Sequence, residues 1–314
     1  MFEPSIPMPR SRTANCGRRI FGSGDFKVSF EFFPPRTATM TERLWKSVKR
    51  LEPLCPTSVA VTYGIEADTR VRTHALIARL LDETTLSPTA RFTCVGSTRQ
   101  EVDDVARSYW NMGVRRAMAL RGDPPGGAGT PFIPRMGGYS SSMELIKGLK
   151  AVAPFEICVA IHPEKHPDSA SLMADLDMLQ AKIDAGATSA VSQLFFDNDA
   201  FFRFLDRAHA RGIFIPIIPG IAPIHDFRHI TAFCDRAGVS VPHWLHRRFS
   251  GTEDDRETRR LTAAATCAEQ VLELARHGIS EFHFYTLNRD DLVYAICHML
   301  GLRPAVLSAS LETN

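Results

Sequence analysis

The first regular pattern in the chain is an alternation of apolar and polar residues in KVSFEFFPPRT, residues 27–37. Apolar side chains at every second position alternate with Ser29 and Glu31, and this period of two is typical of a β-strand. A Pro-Pro pair then ends the strand, because proline has no N–H to donate to a neighbouring strand. The pattern therefore places a carboxylate, Glu31, near the carboxyl end of an apolar strand.

Short apolar runs recur along the chain and alternate with amphipathic stretches of helical period. The further runs are Ser58–Gly64, Ala90–Gly96, Arg115–Asp123, Glu156–Pro163, Ser189–Asp197, Ile213–Ile221 and Glu281–Asn288. The stretches of helical period include Thr41–Leu51, Arg70–Leu81, Gln100–Met112, Ser171–Ala185 and Ala200–Arg211. Eight β units that alternate with helices predict an α/β fold, a (β/α)8 TIM barrel.

Two details refine this fold prediction. Asp254–His277 predicts an extra helix before the last strand. The alternative architecture is a doubly wound open sheet, but no G-x-G-x-x-G follows the first strand, and this weakens the dinucleotide-binding version of that fold. We expect a flexible N-terminal arm over residues 1–24, a barrel over residues 25–305 and a short tail over residues 306–314.

Composition and charge exclude several classes of partner. The chain is 44% hydrophobic with a formal charge of 37 − 35 = +2, too balanced for a protein whose main partner is nucleic acid or an anionic membrane. No apolar run approaches the ~20 residues that span a bilayer. The seven cysteines are scattered and form no C-x-x-C pair, as expected for reduced thiols in a cytoplasmic protein.

Polar and special residues gather where the predicted strands end, which in barrel enzymes is the rim that carries the chemistry. They are Glu31, Thr62, Arg121-Gly122-Asp123, His162, Gln193 and Tyr285. Burial without a cation raises the pKa of a carboxylate, so Glu31 could stay protonated and act as a general acid. The alternative is an interior glutamate that a neighbouring polar group satisfies.

Arg121, Gly122 and Asp123 follow the fourth strand. Arg121 can clamp a phosphate, Gly122 allows close backbone approach and Asp123 offers fixed negative charge, but the three residues are also compatible with an Arg–Asp pair in a tight turn. His162 and His166 are spaced i, i+4, yet the prolines between and after them rule out a regular helix, so we predict a stiff loop and no metal site.

Four other positions carry polar or aromatic groups of ambiguous role. Asp175 and Lys182 lie seven residues apart, hence on one helix face, where solvated surface charges are the ordinary interpretation. Gln193 stands in an otherwise apolar strand, and its amide can both donate and accept hydrogen bonds. Phe233 follows the seventh strand and is either core or a group that stacks on a ligand.

From Lys27 to about Pro304 the chain resembles the bacterial methylenetetrahydrofolate reductases. The motifs that carry the resemblance, in family order and spacing, are SFEFFPPRT, VTYG, ALRGDPP, HPEKHP, KIDAGA with SQLFFD, IPGIAPI and FHFYTLNR. The resemblance implies FAD at the carboxyl-end mouth of the barrel. It further implies that NAD(P)H reduces the flavin and leaves, and that 5,10-methylenetetrahydrofolate then accepts the hydride and becomes 5-methyltetrahydrofolate. Both NADH and NADPH are compatible with the sequence, and bacterial relatives suggest a homo-oligomer.

The resemblance also implies roles for individual residues. The family's acid, which protonates N10 of the folate, falls on Glu31, and its flavin-tuning aspartate falls on Asp123. The family's folate amide falls on Gln193, and its substrate-stacking gate falls on Phe233. The positions that match family flavin contacts are Thr62, Arg121, Gly122, Ala160, His166, Asp175 and Lys182. Tyr285 and Arg289 lie in the matching C-terminal motif and are expected at the substrate.

The chain departs from the family at three places on the flavin side. Arg91 stands where relatives often have histidine, and His162 where they often have tyrosine, so both are expected to contact FAD. Ile65–Asp68 is poorer in Gly and Ser than in many relatives. Two alternatives to the reductase stay open. One is a related enzyme that mainly oxidises 5-methyltetrahydrofolate, and the other is a non-catalytic barrel that binds folate or flavin.

Overall fold

The computed structural model of the chain describes residues 26–63, 67–124, 126 and 130–305. The predicted N-terminal arm and C-terminal tail lie outside these ranges, as do residues 65 and 66 of the Ile65–Asp68 departure. In the described ranges, no helix is both long enough and apolar enough to cross a membrane.

Eight parallel strands form a closed barrel in chain order. They are β1 (Lys27–Phe32), β2 (Ser58–Val61), β3 (Pro88–Thr93), β4 (Arg116–Leu120), β5 (Glu156–Ile161), β6 (Ser189–Leu194), β7 (Ile217–Ile221) and β8 (Glu281–Tyr285). The last strand pairs with the first, with Lys27 opposite Glu281 and Glu31 opposite Tyr285. This closure confirms the predicted (β/α)8 TIM barrel and excludes an open doubly wound sheet.

Helices surround the barrel. They are α1 (Ala38–Leu51), α2 (Ala67–Glu83), α3 (Arg99–Met112), α4 (Ser142–Val152), α5 (Leu172–Asp184), α6 (Asn198–Ala210), α7 (Phe227–Ala237), α8 (His243–Phe249), α9 (Arg256–Arg276) and α10 (Asp291–Met299). The extra helix predicted before the last strand is α9, and α8 is a further short helix that the sequence pattern did not predict.

The alternation in β1 separates two environments. Val28, Phe30 and Phe32 are almost completely buried and belong to the main apolar core. Ser29 and Glu31 point the other way, into the barrel, where they contact side chains of β8 and β3. Because both faces of the strand are covered, the polar residues on the inner face are as buried as the apolar ones.

Side-chain caps fix the start of several helices close to the ends of the preceding strands. Thr37 caps α1, Ser171 caps α5 and Asp226 caps α7, and each side chain accepts a hydrogen bond from a backbone N–H of the first turn. Thr98 and Glu101 form a reciprocal capping box on α3. Each cap is worth about 1 kcal/mol and anchors the loops that surround the mouth of the barrel.

The turn after β8 ties the last strand to the first. The side-chain amide of Asn288 accepts a hydrogen bond from Phe33 N and donates one to Phe33 O, each of 2.8 Å. Leu287 and Asn288 both have left-handed backbone conformations, with φ of 51° and 57°. Asparagine tolerates this region better than leucine does, so the turn is held in place by the contacts of Asn288.

Gly220 in β7 makes room for a contact between the two strands that flank β7, which are β6 and β8. A Cβ at this position would lie 2.2 Å from Ser192 O and 2.7 Å from Cε2 of Tyr285. The Tyr285 hydroxyl donates a 2.8 Å hydrogen bond to Ser192 O. A residue without a side chain is therefore required here for the tyrosine of β8 to reach β6.

Candidate active site

Glu31 lies in the barrel interior and is only 3% exposed. Arg91 of β3 forms an ion pair with it, with its Nη2 on Glu31 Oε2. Thr62, just beyond β2, donates a 3.1 Å hydrogen bond to Glu31 Oε1. His283 Nε2 lies 3.4 Å from Glu31 Oε2, and its Nδ1 lies 2.8 Å from Ser29 Oγ. The Glu31 carboxyl group thus contacts one cation, Arg91, and two polar groups, Thr62 and His283.

Glu31 is buried next to a cation, whereas a raised pKa was expected only for burial without one. Burial raises the pKa of this carboxyl, but Arg91, together with His283 and Thr62, outweighs burial and holds the pKa below its usual value. The protein in this state therefore carries Glu31 as a carboxylate. The condition of burial without a cation is not met, because Arg91 reaches the acid across the interior.

Tyr285 stands directly opposite Glu31, on the neighbouring strand β8. Burial raises the pKa of its phenol, and the negative charge of Glu31 adds to that effect. Arg289, the other residue expected from the C-terminal motif, is exposed in the turn after β8. The structure therefore places Tyr285 beside the acid and Arg289 at the rim.

A second polar group forms where the loop after β5 meets α5. The rings of His162 and His166 lie 4.6 Å apart in an edge-to-face arrangement. Asp175 accepts a 2.8 Å hydrogen bond from His166 N, and Lys182 Nζ donates a 3.1 Å bond to Ala160 O. Asp175 and Lys182 therefore turn toward the loop, and the interpretation of them as solvated surface charges is wrong.

Burial changes the protonation of this group. It lowers the pKa of His162 to about 4, helped by His166, so His162 is neutral at pH 7. Burial also lowers the pKa of Lys182, and Arg121 acts in the same direction while Asp175 opposes both. Arg121, just after β4, also forms an ion pair with Asp168 of the loop after β5, so charged groups of the two loops interact directly.

Arg121 forms an ion pair with Asp168, with 2.7 Å between Nη2 and Oδ2. The alternative interpretation, an Arg–Asp pair within the tight turn of residues 121–123, is therefore wrong. Gly122 has φ +84°, and a Cβ there would lie 3.0 Å from the Cβ of Thr93. Only glycine fits this backbone conformation without strain. Asp123 is exposed at the mouth, beyond the end of β4.

Gln193 lies near the carboxyl end of β6, and Phe233 lies in the middle of α7. Gln193 is half-buried in β6, and its Oε1 accepts a 2.9 Å hydrogen bond from Leu194 N. Phe233 is half-buried in α7 and packs against the main core.

Across the described ranges, no three His, Cys, Asp or Glu side chains are grouped so that they could hold a metal ion. The pair His162 and His166 lies in an irregular loop, as its prolines predict. The polar groups that sequence reasoning missed are His283 and Ser29, which touch each other beneath Glu31. The period of two in β1 and β8 marks both residues as positions on the inner face, whereas their contact follows from the register of the two strands.

A closed parallel barrel with buried charges inside and polar loops at the carboxyl ends of its strands defines the (β/α)8-barrel enzyme class. Within this class, residues 17–301 match the family model described as methylenetetrahydrofolate reductase. The chain therefore belongs to the methylenetetrahydrofolate reductase family.

Individual relatives agree with this assignment. The chain is 46% identical to 5,10-methylenetetrahydrofolate reductase of Escherichia coli (strain K12), over 90% of this chain and 93% of that protein. It is 45% identical to the enzyme of the same name from Salmonella typhimurium, with the same coverage. A solved structure of an uncharacterized protein from Clostridium thermocellum that binds two copies of 5-methyl-5,6,7,8-tetrahydrofolic acid is similar in fold, with TM-score 0.62 and 15% identity over 88% of this chain and 95% of that chain.

Proposed function

We propose that this protein is an FAD-dependent methylenetetrahydrofolate reductase that uses NAD(P)H to convert 5,10-methylenetetrahydrofolate to 5-methyltetrahydrofolate. Family membership supports the proposal, and so do the names of relatives that share nearly half of its residues. One observation carries it: the residue that matches the family's acid, Glu31, is enclosed in the barrel below the mouth. We further propose a cytoplasmic homo-oligomer and a ping-pong order of binding.

The residues present fit a flavin dinucleotide. Arg121 and Lys182 supply positive charge near two neighbouring loops, as a diphosphate requires. Gly122 allows close approach of the backbone. Arg91 Nε is buried with no hydrogen-bond partner among the described residues, so the interior has an unused donor. His166 and Asp175 hold each other at the edge of the same region.

Bound FAD would supply hydride acceptance from the nicotinamide and hydride donation to the folate. The side chains then divide the remaining work. Glu31 protonates N10 of the folate, which opens the five-membered ring to an iminium. Asp123 provides negative charge that stabilises this cation. Gln193 orients the pterin edge and Phe233 stacks on whichever substrate is present.

The experiment that tests the proposal is an absorbance scan of the purified protein, followed by anaerobic additions. We expect a flavin spectrum that NADH or NADPH bleaches and that 5,10-methylenetetrahydrofolate restores, with 5-methyltetrahydrofolate as the product. Bleaching by 5-methyltetrahydrofolate reports the reverse direction on the same sample, because hydride transfer is reversible. A protein that binds folate but neither carries nor binds FAD would contradict the proposal and support the non-catalytic barrel.

A further inference from the structure

The ion pair between Arg91 and Glu31 poses a chemical problem for the proposed function, on which this inference rests. A general acid must hold its proton when the substrate arrives. The structure places a guanidinium on one oxygen of Glu31, and this contact favours the carboxylate over the acid. A proton must therefore enter the site during the reaction cycle, and some group must govern when it enters.

We propose that Arg91 is a positioning residue that keeps Glu31 charged until the folate binds, and that folate binding withdraws Arg91 and leads Glu31 to take up one proton from solvent. Arg91 lies on β3, and Glu31 lies on β1, with β2 between them in the barrel wall. Their contact is made by side chains across the interior, so it can break without any movement of the strands.

The surroundings of Arg91 support a change of partner. The side chain of Arg91 retains 14% exposure, against 4% for Glu31, so the arginine is the member of the pair closer to the open space. Its Nε is buried and has no hydrogen-bond partner among the described residues. An arginine with an unused buried donor is not held by a complete set of hydrogen bonds, and the cost of moving it is correspondingly smaller.

The groups that face Glu31 determine what happens when Arg91 leaves. His283 and Tyr285 from β8 and Thr62 from the end of β2 remain beside Glu31, and Cys158 of β5 lies near Arg91 and Tyr285. Of these groups only Arg91 is a permanent cation. Burial is the largest influence on Glu31, and once Arg91 leaves, only His283 and Thr62 still oppose it. Departure of this one side chain therefore raises the pKa of Glu31 and favours uptake of a proton.

The first test follows the carboxyl group itself and does not depend on activity. Infrared difference spectra of the full-length protein, taken against Glu31→Gln, report the pH at which Glu31 is half-protonated. We expect Arg91→Met to raise this midpoint by about 1–3 pH units, the usual effect of one nearby opposite charge. Arg91→Lys keeps the cation and should stay close to wild type. Arg116→Met removes the Arg116–Glu156 pair of neighbouring strands and should leave the midpoint unchanged.

The second test measures the proton that enters with the folate. Anaerobic calorimetric titration of the protein carrying reduced FAD with 5-methyltetrahydrofolate, in two buffers of different ionisation enthalpy, gives the number of protons bound, because a flavin that is already reduced cannot accept a hydride from this ligand. We expect about one proton per site for the wild type at about pH 6 and a smaller number for Arg91→Met, in which part of Glu31 is already protonated at that pH. The pH profile of folate turnover should shift in the same direction as the infrared midpoint.

The outcomes separate this inference from the proposed function. Equal midpoints for wild type and Arg91→Met, or equal proton uptake, would overturn the role of Arg91 even in an active enzyme. A wild-type protein that binds folate without proton uptake would overturn it as well, and this measurement needs no variant that might misfold. Failure to bind folate or flavin would overturn the proposed function and the linked uptake, while the infrared midpoints would still decide whether Arg91 controls Glu31.

Discussion

Tyr285 reaches across the barrel to Ser192, and the hydrogen bond between them passes over a glycine that no other residue can replace. Gly220→Ala would place a Cβ 2.2 Å from Ser192 O, far inside van der Waals contact. We expect the variant to lower the free energy of unfolding by about 1–3 kcal/mol, the usual cost of overpacking. Urea denaturation followed by circular dichroism measures this change.

Tyr285→Phe is the matched control for Gly220→Ala. It removes the hydrogen bond to Ser192 without adding volume, so it should cost about 1 kcal/mol. If Gly220→Ala were no less stable than Tyr285→Phe, the strands would be able to move apart at this seam, and the glycine would not be required.

Glu31→Gln should separate the two half-reactions. The amide keeps the size of the acid but cannot supply a proton, so folate turnover should fall at least ~100-fold while reduction of FAD by NADH stays near normal. Anaerobic stopped-flow absorbance resolves the two steps. Glu156→Gln, at the opposite end of the barrel, is the control and should change neither. Near wild-type folate turnover by Glu31→Gln would show that the acid is elsewhere.

Asp123→Asn should weaken stabilisation of the cationic iminium. We expect the folate half-reaction to slow by roughly two orders of magnitude, as for the loss of one preorganised electrostatic group. Reduction of FAD by NADH should suffer less, because no cation develops on the folate in that step. Single-turnover rates of both steps decide the matter, and equal, mild effects would remove Asp123 from this role.

His162 should make the free energy of unfolding decrease as the pH falls. Burial in the folded state lowers the pKa of His162 from 6.5 to about 4. Between these pH values the unfolded chain binds a proton at this residue and the folded protein does not. The stabilisation is complete above pH 6.5 and is lost as the pH falls toward 4, by about 2 kcal/mol when partial exposure is allowed for. Denaturation midpoints between pH 7 and 4 measure this loss.

Two variants test whether His162 is the cause. His162→Tyr should lose less stability over this pH range. His209→Gln changes an exposed histidine and should keep the wild-type dependence of stability on pH.

The short apolar runs predicted the strands well, since every predicted run overlaps one. Their ends were harder to place. Ile213–Ile221 is apolar throughout, yet β7 begins only at Ile217, and Phe214 is 75% exposed. An apolar run does not show where pairing with a neighbour begins, because that depends on register. Helix α8 is seven residues long, too short for a helical period to stand out.

The site divides in the same way between local and non-local information. Glu31 could be located because its strand pattern is local. Its pairing with Arg91 joins residues 60 positions apart through the barrel interior, and no period in the sequence reports such a contact. For the same reason the sequence did not predict that Arg121 forms its ion pair with Asp168, 47 residues away, and not with its near neighbour Asp123.

The hydrogen bonds between Asn288 and Phe33 join residues 255 positions apart. They can form only after nearly the whole described barrel has been synthesised. The first seven strands emerge from the ribosome before β8 exists, and until then β1 and β7 are open edges that can pair with other chains. His283 arrives only with that last strand, so the surroundings of Glu31 are finished at the end of translation. A nascent chain paused before residue 281 would therefore be the form most exposed to aggregation, and the one on which a chaperone would act.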